Sequence, residues 1–410
     1  MTTTKNNEHK KLNFSSEREQ SQVCLNSAEH EKNQGRKVLN VPNLRFPEFK
    51  GEWEKCKLGD YGKVITGNTP PTKDVENYEN GEYLWASPAD LGTIKSITET
   101  KTMLSAKGFA KTRTLPKGSV LVTCIGSTIG KTGMATKEMS TNQQINSIVV
   151  NDNNDNEFVY YAIQSAFPRY LSSIAVQAVP IISKSAFELL PNKKPCLQEQ
   201  KRIGKFLSLL DERISTQNKI IEDLKKLKSA ISHILFSSKC AIRLSDIANV
   251  IMGQSPSSNA YNDQGIGMPL VQGNLDISNG KTTPRLYTAE FNQTAEEGNI
   301  ILTVRAPVGE VAKATKKVCL GRGVCSIIPH EGNMSDFIYQ YLTFYKFMWR
   351  KYEQGSTFTS INGSDVRNIP CPKVRNVSIL TLLDRKINIE ERVVKLYQSQ
   401  KQYMLCQMFI

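Results

Sequence analysis

Apolar side chains after residue 200 return in alternating steps of three and four: Leu207, Leu210, Ile214, Ile221, Leu224, Ile231 and Leu235, with Gln217 and Lys228 as polar steps. This spacing keeps one face of a helix apolar, and over such a length it predicts a heptad seam that a second helix must cover. The same seam returns 173 residues later at Leu380, Leu383, Ile387, Val394, Tyr397, Met404 and Met408, with polar steps at Glu390 and Lys401. Two long helices are therefore expected, over 197 to 236 and 377 to 410. The stretch of chain between them makes antiparallel pairing the easiest arrangement. In that register Ile221 faces Val394 and Lys228 lies one layer from Glu390, so the polar steps can satisfy one another.

Upstream of each helix the apolar period shortens to that of strands. Residues 117–123 (KGSVLVT) are answered by 297–303 (EGNIILT), and Asn146-Ser147-Ile148 by Cys325-Ser326-Ile327. Leu58-Gly59-Asp60 followed by Gly67-Asn68-Thr69-Pro70 recurs, 186 residues on, as Leu244-Ser245-Asp246 followed by Gly253-Gln254-Ser255-Pro256. The closing segments 182–191 and 361–370 match at an offset of 179. An offset that drifts so little over half a chain marks a duplicated domain with small loop deletions, not a solenoid. The expected fold is α+β: two similar domains, 41–190 and 237–370, separated by two long antiparallel coiled-coil helices in 191–236 and 371–410, a pseudo-two-fold internal repeat. Residues 1–40 are polar and aperiodic and read as a disordered leader.

A chain of 410 residues exceeds one ordinary core, in agreement with two domains. Its 53 Lys and Arg outweigh 39 Asp and Glu, and a formal charge of +14 favours a polyanionic partner such as nucleic acid. Nine cysteines without a Cys-x-x-Cys pair argue against a zinc site or a disulfide framework. With no apolar run of about 18 residues and no signal-peptide core, no membrane partner is expected and the chain reads as cytoplasmic.

Candidate chemistry is sparse. Gly126-Ser127-Thr128-Ile129-Gly130-Lys131-Thr132 approaches a phosphate loop, but three residues separate its glycines where four are needed. The second copy places Glu310 where the lysine would stand, so strand-turn-strand is the better reading. No Asn/Asp-Pro-Pro-aromatic motif for holding a flipped base occurs. His9, His30, His233 and His330 are scattered, and neither catalytic nor metal-binding residues are assigned. Polar and basic side chains gather instead where the two copies diverge between agreeing strands. These are Lys131, Lys137, Asn142, Gln143 and Gln144 in the first copy, and Arg305, Lys313, Lys316, Lys317 and Arg322 in the second. Such types suit DNA, because Arg is bidentate to guanine, Asn or Gln to adenine, and Lys is drawn to phosphate. Arg305, between an apolar strand and Ala306-Pro307, is the foremost single candidate. For each residue a solvated loop charge is the alternative, and for the chain a coiled-coil scaffold that never touches DNA.

Three stretches carry a family likeness: the domain opening Trp53-Glu54-Lys55-Cys56-Lys57-Leu58-Gly59-Asp60; the exit from Leu190-Pro191 to Leu197-Gln198-Glu199-Gln200-Lys201-Arg202-Ile203; and Leu209-Leu210-Asp211-Glu212-Arg213-Ile214, which returns as Leu382-Leu383-Asp384-Arg385-Lys386-Ile387. With the duplication, residues 41 to 410 resemble the specificity subunits of type I restriction-modification systems. The resemblance implies two target recognition domains, each reading half of a bipartite sequence in double-stranded DNA. It makes the helices a spacer and a dock for two methylation subunits, with restriction subunits joining outside. It also implies a non-enzymatic chain without cofactors, S-adenosylmethionine, magnesium and ATP being bound by the partners. One departure stands out: the second exit, 369–376, lacks the Gln-Glu-Gln of the first.

Overall fold

The computed structural model of the chain describes residues 40–92, 94–174, 181–237, 240–351, 360–373 and 376–410, so nearly all of the expected leader lies outside the described residues. The chain divides into two compact units, Met1–Ser215 with Lys395–Ile410, and Thr216–Val394.

In the first unit a five-stranded sheet runs in the order Gly62–Thr66, Ile145–Val150, Val120–Thr123, Thr132–Ala135, Ser96–Ile97. Successive strand residues point to opposite faces, so both faces can be buried. Val120 and Val122 pack under the helix Asn156–Ile174, against Phe158 and Tyr161, while Leu121 faces Leu84, Leu115 and Met139. The second unit repeats this: Ile300 and Leu302 pack under the helix Ser335–Tyr345 against Phe337 and Tyr341, and Ile301 faces Val271, Val318 and Leu320. Each unit adds a smaller sheet of short strands, and a two-stranded clasp joins the domain's opening to its exit. The clasps pair Glu54–Lys57 with Pro191–Lys194 and Cys240–Arg243 with Pro370–Pro372.

The clasp explains why Leu-Gly-Asp returns as Leu-Ser-Asp. Asp60 and Asp246 each accept a backbone N–H at 2.7 Å, from Lys57 and Arg243, and so close a tight turn. The fully buried Leu58 and Leu244 then donate their own N–H groups to the exit at Leu190 (3.0 Å) and Ile369 (2.9 Å).

The seam residues lie on two continuous helices, Leu197–Phe236 and Ser378–Met408. Every seam position is buried or half-buried, while most residues between them are exposed. In the first unit Leu207 and Leu210 share a core with Met408, and the Lys401 ammonium reaches Asp211 at 2.7 Å. In the second, Gln217 donates to Glu390, Lys225 reaches Glu391 at 2.7 Å and Lys228 reaches Asp384 at 2.6 Å. From Gln217–Glu390 to Lys228–Asp384 the position rises on one helix and falls on the other, which is antiparallel pairing. The expected partners Ile221 and Val394 are both buried. The expectation for Lys228 needs correction: Glu390 is occupied by Gln217 and Lys386, and the lysine's long stem carries its charge to Asp384 instead.

Each domain is fastened to the helices by matching polar side chains. In the first unit Asp211 accepts from the Tyr161 hydroxyl (2.6 Å) as well as from Lys401, and Lys95 bonds Glu157 (2.7 Å) and Ser208 (2.8 Å). In the second, Asp384 accepts from Gln340 (2.6 Å) as well as from Lys228, and Asp336 accepts from Lys313 (2.6 Å) and Thr381 (3.1 Å). Burial, with Asp211 beside it, pushes the Tyr161 hydroxyl far above its ordinary range and keeps it a donor. The Lys313 hydrogen bond, working against partial burial, holds the Asp336 carboxyl below the usual aspartate range.

Candidate nucleic-acid interface

The repeated tetrapeptides form the centre of the candidate surface. Gly67 and Asn68 donate their N–H groups to Ile145 (3.1 Å) and Thr141 (2.9 Å), and Gly253 and Gln254 donate theirs to Val324 and Leu320, both at 2.9 Å. The approach is so close that a Cβ on Gly67 would overlap the carbonyl oxygens of Thr141 and Asn142, and one on Gly253 that of Gly321. Only glycine can lie there. The next hydroxyl ties down the facing loop: Thr69 donates to the Gln143 side chain, and Ser255 accepts the Arg322 N–H at 3.0 Å. A common peg thus holds up one exposed residue in each unit, Gln143 or Arg322.

The other candidates fall into two groups. Lys131, Lys137, Lys316 and Lys317 are exposed in loops, and Arg305 is exposed at an isolated antiparallel bridge with Ser360. Lys316 lies 5.4 Å from the Tyr287 ring centre, and Lys317 forms a solvent-exposed pair with Glu296 at 2.6 Å. The second group turns inward. Asn142 is buried, accepting the Gln144 N–H at 2.9 Å and donating to the Gln144 side chain at 3.1 Å, while Lys313 is bound to Asp336. The string 126–132 is a strand-turn-strand, since Val120–Thr123 pairs antiparallel with Thr132–Ala135. Its Gly130, at φ +89°, has a counterpart in Gly309 at +90°.

Two residues escaped the sequence reading. Arg113 donates its N–H to the Asn68 side chain and a guanidinium Nη1–H to the Thr66 carbonyl, both at 2.8 Å. Gln293 occupies the matching place, immediately before the short strand Thr294–Ala295 as Arg113 precedes Thr114–Leu115, and its carbonyl accepts the Leu320 N–H at 2.9 Å. Only the alignment of those two short strands could have paired them. The sequences leading into them share no motif.

The family described as "Type I restriction modification DNA specificity domain" matches residues 50–226 and 240–395, one stretch for each copy. The chain belongs to this family. It is a specificity subunit, a non-catalytic DNA-recognition component, and the DNA-free scaffold reading is not favoured. It is 27% identical over 378 residues to the MjaX type I restriction enzyme specificity subunit of Methanocaldococcus jannaschii, covering 82% of this chain and 86% of that one. It is 30% identical over 186 residues to the HindI specificity subunit of Haemophilus influenzae, covering 43% of this chain and 39% of that one. The crystal structure of the type I S subunit from M. genitalium shares the fold at 20% identity, with a TM-score of 0.61 over 90% of this chain and 99% of that one. Among the described residues no helix is long and apolar enough to cross a membrane.

The missing Gln-Glu-Gln at the specificity subunit's second exit has a local explanation. Glu199 is buried and takes two bonds from the Arg45 guanidinium (2.8 and 2.7 Å) and one from Trp53 (3.3 Å). Gln200 donates to Asn154 (3.3 Å) and to the Pro195 carbonyl (3.0 Å). Glu199 thereby secures the chain that enters the first domain. The second domain instead follows the helix that ends at Phe236.

Proposed function

We propose that each unit reads one half of a split double-stranded site at the edge built by its Gly-x-Thr/Ser-Pro peg, with Lys131, Lys137, Arg305, Lys316 and Lys317 meeting the DNA around it. One observation carries this reading: the peg and its backbone bonds are the same in both units, while the side chain it presents changes from Gln143 to Arg322. A fixed scaffold with a variable edge suits one docking mode applied to two sequences. The paired helices serve as the spacer and as the dock for two methylation subunits. Restriction subunits join outside these, and S-adenosylmethionine, magnesium and ATP act in the partner chains.

The test is to sequence modified bases in cells carrying the chain with its methylation subunits. A bipartite motif is expected, and exchanging residues 41–190 for the corresponding domain of a relative should change one half of it only. Changes in both halves, or in neither, would refute the assignment. Inserting one heptad after Ile221 and another after Val393 keeps the seams in register and lengthens each helix by about 10 Å, or about 3 base pairs. Surviving methylation should then fall on sites with a longer gap; an unchanged gap would remove the helices as the spacer.

A further inference from the structure

We infer that Arg113 with Gln143 in the first unit, and Gln293 with Arg322 in the second, are base-reading pairs in which Arg addresses guanine and Gln addresses adenine. The inference rests on the half-site reading above and gives it particular atoms. The two residues of each pair flank the same peg. Arg113 is bonded to Thr66 and Asn68, and Gln143 to Thr69. In the second unit the main chain makes the link: the Arg322 backbone N–H donates to the Ser255 hydroxyl, and the Gln293 carbonyl accepts from Leu320, whose own carbonyl accepts from Gln254.

Chemistry favours bases over phosphates here. The Thr69 hydroxyl takes one lone pair of the Gln143 amide oxygen, which fixes the amide and leaves its second lone pair and its NH2 for the N6–H and N7 of an adenine. The Thr66 carbonyl holds one Nη1–H of Arg113, and the guanidinium's remaining donors suit the O6 and N7 of a guanine. An amide acceptor is of no use against phosphate. Arg and Gln also exchange places between the units: Arg113 corresponds to Gln293, and Gln143 to Arg322. Two domains that read different sequences in one docking mode would differ in this way.

The experiment is modified-base sequencing with the assembled methylation complex. Arg113→Ala should weaken discrimination at one G·C pair by about 5- to 150-fold, and Gln143→Ala at one A·T pair of the same half-site by a similar factor. Arg322→Ala and Gln293→Ala should act on the other half-site. In every variant the untouched half-site reports that the complex is folded. Should an alanine variant lose methylation altogether, Arg113→Lys and Arg322→Lys keep the charge and lose the fork, and should still relax guanine alone. A uniform loss over all sequences, or an unchanged motif, overturns the pairing while a bipartite wild-type motif leaves the half-site reading standing. If Arg113→Ala and Arg322→Ala relax the same half-site, the half-site reading itself fails.

Discussion

The two units are alike where a domain meets the helices and unlike where its loops meet solvent. At the junction, Tyr161, Asp211 and Lys401 answer to Gln340, Asp384 and Lys228 with the same bonds. Glu157 and Ser208 answer to Asp336 and Thr381, linked through Lys95 in the first unit and directly in the second, where Lys313 from another strand joins Asp336. At the loop edge Arg113 and Gln143 answer to Gln293 and Arg322, each type moved to the other's position. A partly buried charge restricts its partner, because an unmatched group there bears the full cost of desolvation. A loop-edge side chain bonded only to its own turn restricts its partners far less, because water can take over a lost bond. Polar residues kept in place therefore mark the scaffold, and polar residues that change place are the ones proposed above to read DNA.

The largest break in this symmetry should come from the pegs. Gly67→Ala drives a methyl into two backbone carbonyls, a cost of about 3 kcal/mol that the loop can relieve only by moving. Methylation of the cognate site should fall at least tenfold. Gly253→Ala should be milder, because the second carbonyl it meets, that of Val324, lies farther from the methyl (2.7 Å) than either carbonyl at Gly67 (2.2 Å). Methylation rates on a cognate duplex would show this, and equal effects would mean the two pegs are equally constrained.

A medium effect is expected at the junctions. Lys401→Met and Lys228→Met each strand a partly buried aspartate, costing about 2 kcal/mol, less than the 3–5 of a fully buried pair. Lys401 should matter slightly more, since it and Asp211 are 15% and 17% exposed against 19% and 30% for Lys228 and Asp384. Thermal unfolding of the chain would rank them. If one variant were silent, the matched junctions would not be energetically matched.

Smaller still is the pH response of the second junction. The Asp336 carboxyl is depressed by Lys313, so its contribution is complete above the usual aspartate range and is lost as pH falls through the lowered value. Asp336→Asn should remove that part of the acid sensitivity. The group is 45% exposed, so a few tenths of a kcal/mol is the expected size, read from unfolding midpoints between about pH 3 and 6. A salt titration of DNA binding completes the series: several phosphate contacts require at least a tenfold loss between about 50 and 200 mM, and salt-insensitive binding would exclude them.

Much was legible in the sequence because it is periodic or repeated. Seam spacing alone located both long helices, and the matched strands, turns and closing segments located the duplicated sheet. Candidate site residues were legible only by type. Asn142 and Gln143 are neighbours of similar chemistry, yet one is buried in its own loop and the other is exposed on the peg. Lys313 and Lys316 lie three apart, and the first is bound to Asp336 while the second stands in solvent.

The sequence by itself determined the two-copy plan and the antiparallel helices, because hydrophobic period and internal repetition are local and additive along the chain. Only the tertiary structure decided which polar groups are bound into the scaffold and which stand at the exposed loop edge. Lys228 meets Asp384 and not Glu390, Glu199 holds Arg45, and Arg113 comes beside Gly67 across more than 40 residues. A hydrogen bond depends on distances between atoms far apart in the chain, and no spacing in the sequence encodes those distances.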